Sequence, residues 1–305
     1  MNKSLTLLLI LQTLVLTLYA QQIADTTYMP ALPNPAYSQG RGSVVFIDEG
    51  HFNFHTKEGR YKSFASLLER DGYVVKEYAG VFSKESLEKG KILVISNALN
   101  EMNEHNWFLP TPSAFTPDEI KVVKRWVQSG GSLFLIADHM PLAGAAAELA
   151  AAFQFEFTNG FVLDTLQNGP AIFKRHDGTL ADNKITNGNR TGDRVEEVAT
   201  FTGQGFKIPN DATPILTFSN RYVNFLPDTA WVFDNHTQRL PAEGLTQGAF
   251  KKYGKGRLVV FGEAAMFSAQ LAGPERRKMG MNADVASQNY KLLLNIIHWL
   301  DGQYD

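Results

Sequence analysis

Short, uninterrupted apolar runs constrain this chain more than any other feature. Ser43–Asp48 (SVVFID), Lys91–Ser96 (KILVIS), Ser132–Ala137 (SLFLIA) and Arg257–Gly262 (RLVVFG) show no apolar–polar alternation. A strand with one wet face must alternate, so these runs fit strands covered on both faces. Between them the period becomes helical. Within 57–71, Tyr61, Phe64, Ala65 and Leu68 share one helix face, and Gly72 is a stop. Tyr73–Tyr78 reads as a further strand. Thr116-Pro117-Asp118-Glu119 offers an N-cap threonine, a proline at the first helical position and a glutamate placed to close a capping box. Ile120, Val123, Trp126 and Val127 follow as an apolar stripe that ends at Gly130-Gly131, and Leu142–Phe153 reads as an alanine-rich helix. Strands alternating with helices require right-handed crossovers, which predicts a doubly wound, mostly parallel α/β sheet with helices on both faces.

From 156 to 244 the texture changes. Val198–Phe201, Ile215–Phe218 and Trp231–Phe233 are short runs among turn pairs such as Asp177-Gly178, Asn187-Gly188 and Pro227-Asp228, which reads as a β-rich insertion. A hairpin follows, Gly248–Tyr253 turning at Gly254-Lys255-Gly256 into the last apolar run. Asp284 is expected to cap a final helix carrying Leu292, Leu293, Ile296, Ile297 and Leu300, with Gly302 as its stop. The start of the chain is different in kind. Met1-Asn2-Lys3, the apolar stretch Leu5–Leu18 and Ala20 follow the plan of a signal peptide, too short to span a bilayer, which needs about 20 residues. The predicted organisation is a signal peptide over 1–20, an extended Pro- and Gly-rich lead-in over 21–42, and a single α/β domain over 43–302. The protein is then exported, periplasmic or secreted, and spans no membrane after cleavage.

Composition removes whole classes of chemistry. The chain has Cys 0, which excludes disulfides, cysteine-ligated metals and thiolate nucleophiles. Lys+Arg 29 against Asp+Glu 31 gives no basic surplus for a nucleic-acid backbone.

In an open parallel sheet, ligands bind beyond the carboxyl ends of the strands. Each apolar run here releases polar groups at that end: Asp48-Glu49-Gly50-His51 with Asn53 and His55, then Asn97 and Asn100, then Asp138-His139, then Glu263. Topology brings these ends to one rim, so the expected acid–base groups are His139, Glu49, Glu263 and Asp138, and the expected substrate-positioning groups are His51, Asn53, Asn97, Asn100 and Asn282. The same carboxylates and imidazoles suit a divalent metal, and no spacing discriminates, so metal ligation stays open and no cofactor is required. Trp107, Phe108, Tyr222 and Phe225 are candidates for an aromatic sugar-binding wall. His298 reads as a packing residue of the last helix.

The Asp48-Glu49-Gly50-His51 opening, the segment Gly131–His139 (GSLFLIADH) and the ending Gly262-Glu263-Ala264-Ala265-Met266-Phe267 with Asn282 and Asn295–Leu300 resemble the class I glutamine-amidotransferase-like superfamily. More narrowly they resemble a secreted bacterial branch related to ThuA-like and GldG-type gliding-motility domains. The resemblance covers roughly 43–155 and 245–302 and implies a flavodoxin-like sheet. Catalytic amidotransferases of that superfamily carry a cysteine nucleophile on a strand–helix turn. This chain has none, so it is not a glutaminase. His139 matches a histidine of the ThuA-like branch, which implies a carbohydrate-like small molecule as ligand. Three readings follow: a cysteine-independent acid–base hydrolase or isomerase, a non-catalytic binding or scaffold domain of the cell envelope with a protein partner, and a metal-dependent hydrolase at the same rim.

Overall fold

The computed structural model describes residues 22–305; the signal peptide expected over 1–20 lies outside them. The chain opens with β1 (Gln22–Ala24), then β2 (Val44–Asp48), α1 (Lys62–Arg70), β3 (Val74–Tyr78), a short α2 (Lys84–Leu87), β4 (Ile92–Ser96), α3 (Pro117–Gln128), β5 (Ser132–Ile136) and α4 (Leu142–Ala152). The 156–244 stretch holds β6 (Glu156–Phe157), β7 (Phe161–Asp164), β8 (Ala171–Lys174), α5 (Lys184–Asn187), β9 (Glu197–Thr200), β10 (Phe206–Lys207), β11 (Thr213–Thr217), β12 (Tyr222–Leu226) and β13 (Gln238–Pro241). The chain closes with β14 (Thr246–Tyr253), β15 (Gly256–Phe261), β16 (Ala269–Ala272), β17 (Arg277–Gly280) and α6 (Asn289–Asp301).

The central sheet runs β3-β2-β4-β5-β15-β14-β10-β6, with β11 also on β14. The pairs from β3 through β15 are parallel, and β14 turns back antiparallel. The uninterrupted apolar runs now have their reason. Val45, Ile47, Ile92, Val94, Phe134, Ile136 and Val259 point to one face, where Phe64 and Leu68 of α1 and Leu292 and Ile296 of α6 cover them. Phe46, Leu93, Ile95, Leu133, Leu135, Leu258 and Val260 point to the other, under Val123 and Trp126 of α3 and Leu149 of α4. Both sides of each strand are dry, so neither can be polar. The β-rich insertion adds its own small antiparallel sheets, β13-β12-β7 and β8-β9. This is the α/β architecture, mostly parallel with a β-rich insertion, that the alternation predicts.

Local differences have local causes. β1 lies within the expected lead-in: Gln22–Ala24 pairs antiparallel with β16, a contact with residues 270–272 that no local pattern signals. The helix expected over 57–71 starts at Lys62, because a turn closed by Tyr61 N–H on Thr56 O occupies its beginning. Asp284 opens a single 3₁₀ turn, and the last helix starts at Asn289. Trp231–Phe233 forms no strand. The capping box at Thr116 is present in both directions: its side chain accepts from Glu119 N, and Glu119 Oε2 accepts from Thr116 N at 3.0 Å.

Candidate functional site

Four strand ends meet at one mouth of the sheet, and a single asparagine ties three of them together. Asn97 follows β4 at φ +52, a conformation that asparagine tolerates better than most side chains. This aims its amide across the rim. Its Oδ1 accepts from Asp138 N at 2.8 Å. Its Nδ2 donates to Asp138 Oδ2 at 3.2 Å and to His55 Nδ1 at 3.3 Å, which uses both amide hydrogens. His55 Nδ1 is therefore the acceptor, and the ring proton sits on Nε2. That Nε2 is buried and has no partner, and the same holds for Asp138 Oδ1. Buried polar atoms are nearly always satisfied, so an orphaned donor and an orphaned acceptor at one mouth mark a place where a ligand's polar groups fit.

His139 follows Asp138. Its Nδ1 is 2.8 Å from Met140 O, a carbonyl that can only accept, so Nδ1 carries the proton and Nε2 presents a lone pair. Phe161 stacks on the ring at a centroid distance of 4.1 Å, Trp231 meets it edge-on at 4.7 Å and Trp107 stands at 6.1 Å. Burial holds its pKa below the ordinary 6.5, although the Asp138 charge works the other way. Burial, helped by the Arg60 charge, pushes His55 down to about 3. Both imidazoles are neutral at physiological pH, one offering an acceptor and the other a donor.

The carboxylates move in the opposite direction. Burial raises the pKa of Asp138. Burial, followed by the Asp138 charge, raises that of Glu263 well above its ordinary value. Like charges sharing a dry site disfavour ionising together, which biases both carboxyls toward their protonated forms. Glu263 is also structural: Oε1 and Oε2 accept from Ala265 N and Met266 N, each at 2.8 Å, clamping the turn after β15.

These groups line a cavity of about 470 Å³, together with Arg60, Phe54, Thr202 and Gln270. Two loops wall it. Trp107 and Trp231 are clasped by Ala230 N donating to Trp107 O at 2.8 Å and Leu109 N to Asp228 O at 2.9 Å. Trp231 adopts φ +67, a region costly for a bulky side chain. The insertion is moored to the rim by Gln204, whose N–H donates to Gly262 O and whose Nε2 donates to Ala137 O. Next to it Gly203, at φ +119, approaches Gly262 O so closely that a Cβ would stand 2.1 Å away.

The structure brings together Asn97, Asp138, His139 and Glu263 among the residues expected from sequence, and leaves the others elsewhere. Glu49 stands outside the cavity: its N–H extends the pairing to Tyr78 O on the sheet-edge strand β3, and its Oε1 accepts from Lys57 N at 2.6 Å. His51 is a buried clamp, its Nδ1 2.9 Å from Asp48 Oδ1 and its Nε2 3.0 Å from Glu119 Oε1, between the rings of Phe82 and Phe115. Asn53 braces the same clamp, donating to Asp48 Oδ2 at 2.9 Å. Asn100 caps the 3₁₀ turn Glu101–Asn103 and donates to Ser113 O. Asn282 donates to Asp25 Oδ2 and Gln270 O, one layer behind the cavity. Of the aromatic candidates, Trp107 lines the cavity. Phe108 bridges to Thr229, Tyr222 packs with Phe173 and Phe218, and Phe225 packs with Phe233. His298 pairs with Asp71 at 2.6 Å, as a satisfied packing residue. Among the described residues, no group of three His, Cys, Asp or Glu side chains is arranged to hold a metal ion.

No family model matches the chain, and no curated protein matches it significantly. Solved structures do. The N-terminal domain of mmIFT52 is similar over 86% of this chain and 99% of that one, at 14% identity and a TM-score of 0.61. A cytoplasmic protein from Salmonella typhimurium, STM3548, is similar over 85% and 98%, at 15% identity and a TM-score of 0.50. A ThuA-like protein from Bacteroides uniformis is similar over 89% and 94%, at 10% identity and a TM-score of 0.45, a superposition too loose to argue from. At these identities the likeness shows the fold alone.

Proposed function

We propose that this chain is an exported protein that binds a carbohydrate-like small molecule in the aromatic-walled cavity and acts on it by acid–base chemistry. One observation carries the reading. His139, whose Nε2 is left as the acceptor, lines one cavity with Asp138 and Glu263, whose carboxyls burial biases toward protonation, and Trp107 and Trp231 wall that cavity beside it. Aromatic faces suit the apolar faces of a sugar ring, while the orphaned Asp138 Oδ1 and His55 Nε2 suit its hydroxyls. In this arrangement His139 removes a proton from the water that attacks the bound molecule, in hydrolysis, or from the molecule's own carbon, in isomerisation. The Asp138–Glu263 pair supplies one to a leaving or rearranging oxygen, and Asn97 keeps Asp138 and His55 in register. The chemistry is hydrolytic or isomerising. The ThuA-like and amidotransferase-like resemblance of the strand-end motifs supports the same reading, and the absence of cysteine rules out glutamine hydrolysis through a thioester.

The test is a panel of mono- and disaccharides followed by NMR for binding and for product. His139→Gln is expected to lower turnover by about 10²- to 10⁴-fold while changing sugar affinity little. Binding with no product from the unaltered protein would favour a recognition domain of the cell envelope. Failure of every sugar to bind would remove the carbohydrate reading.

A further inference from the structure

One cationic side chain lining the cavity has no counter-ion among the described residues. Arg60 lies in the turn before α1, half-buried, with its guanidinium 3.7 Å from the Phe54 ring centroid. Its Nη1 donates to Phe54 O at 3.2 Å, and its Nε is buried without a partner. Burial alone acts on its ionisation, and no carboxylate stands near enough to offset that. Arginine stays protonated all the same. Its charge is felt at His55, which places it close to the Asn97–Asp138 centre. Among the described residues neither carboxylate of that centre pairs with it: Glu263 accepts from the Ala265 and Met266 N–H groups, Asp138 Oδ2 accepts from Asn97, and Asp138 Oδ1 makes no contact with the guanidinium. A partly desolvated guanidinium without a counter-charge is unfavourable unless something anionic completes it, and its planar fork of donors matches a carboxylate or a phosphate.

We propose that Arg60 is the anion-binding residue of this cavity, and that the molecule bound there is an acidic sugar, bearing a carboxylate or phosphate group that pairs with the guanidinium. The proposal rests on the carbohydrate reading above and narrows it. The apolar wall takes the ring, the Asp138–His139–Glu263 group faces the reacting oxygen, and Arg60 fixes the charged end and with it the direction in which the sugar lies.

Isothermal titration of the full mature chain with D-glucuronate, D-glucose 6-phosphate and D-glucose, in low-salt buffer, tests this. At least one anionic sugar should bind about 10- to 100-fold more tightly than glucose, the range of one charge-assisted contact. Comparing the two anions tells carboxylate from phosphate. Arg60→Gln should abolish the preference, bringing the anionic sugars down to the affinity of glucose, and Arg60→Lys should keep part of it. Selectivity is the readout because a variant that merely loosens the loop weakens all three ligands together; that outcome, or equal binding of glucose and both anions by the unaltered protein, overturns the proposal. If none of the three binds, titration with inorganic phosphate and acetate separates the two ideas. Anion binding that disappears in Arg60→Gln keeps the anion subsite and discards the sugar. No anion binding overturns both.

Discussion

Exchanging His51 for alanine is expected to lower the free energy of unfolding by about 3–5 kcal/mol, the usual cost of stripping one partner from a buried ionic group. His51 stands between the Asp48 and Glu119 carboxylates, and all three are nearly inaccessible to solvent. Without the imidazole, two carboxylates face each other in a pocket floored by Phe82 and Phe115. The link spans the molecule: Asp48 ends β2, while Glu119 belongs to the capping box of α3 and also accepts from Phe82 N at 3.0 Å. The pH dependence has a definite sign. Burial opposes charge on His51, but hydrogen bonds and charges from Asp48 and Glu119 outweigh it, so its folded pKa lies above the ordinary 6.5. Stability from the protonated ring is complete below the unfolded value near pH 6.5 and is lost as pH rises through the folded value. Urea unfolding between pH 6 and 9 should show this decline in the unaltered protein and a shallower one in His51→Ala. An identical slope in both would show that His51 is not the titrating centre.

The second large effect separates two neighbouring carboxylates. Glu263→Ala leaves two buried backbone N–H groups, those of Ala265 and Met266, without acceptors. At about 1–3 kcal/mol for each orphaned donor, the fold should lose about 2–6 kcal/mol. Asp138→Asn behaves differently. Asp138 Oδ1 has no partner to lose, Oδ2 can be replaced by an amide oxygen facing Asn97 Nδ2, and a buried charge disappears. Its unfolding midpoint should stay the same or rise, while any acid–base turnover falls. Thermal melts of the two variants decide this, and equal losses of stability would refute the division of roles. Removing the Asp138 charge also releases its hold on Glu263: in Asp138→Asn, the Glu263 carboxyl should titrate closer to the ordinary carboxylate range, a shift visible by carbon-detected NMR.

The parallel core was legible in sequence because burial on both faces leaves an unmistakable pattern, and Thr116 to Glu119 announced their helix through backbone chemistry alone. The rim was legible in part for the same reason. Asn97, Asp138, His139 and Glu263 directly follow buried runs, so strand direction alone delivers them to the mouth. After β2 that logic fails. His51 and His55 sit four positions apart in one loop, and spacing does not say which faces the cavity. The choice is made by Glu119, distant in sequence, which captures His51 and leaves His55 to Asn97. Arg60 and Trp231 gave no signal because each acquires its role from neighbours that only the folded chain supplies. β1 escaped notice likewise, since a three-residue strand gains its meaning from β16.

Trp107 emerges from the parallel core and Trp231 from the inserted stretch, and main-chain bonds clasp their loops. Proton handling and steric admission consequently reside on separable stretches of polypeptide. Random mutagenesis confined to residues 229–233 should therefore retune which molecules enter while leaving every acid–base side chain in place, with His139 affected only through its contact with Trp231, making that short span the natural handle for anyone wishing to redirect this scaffold toward new guests.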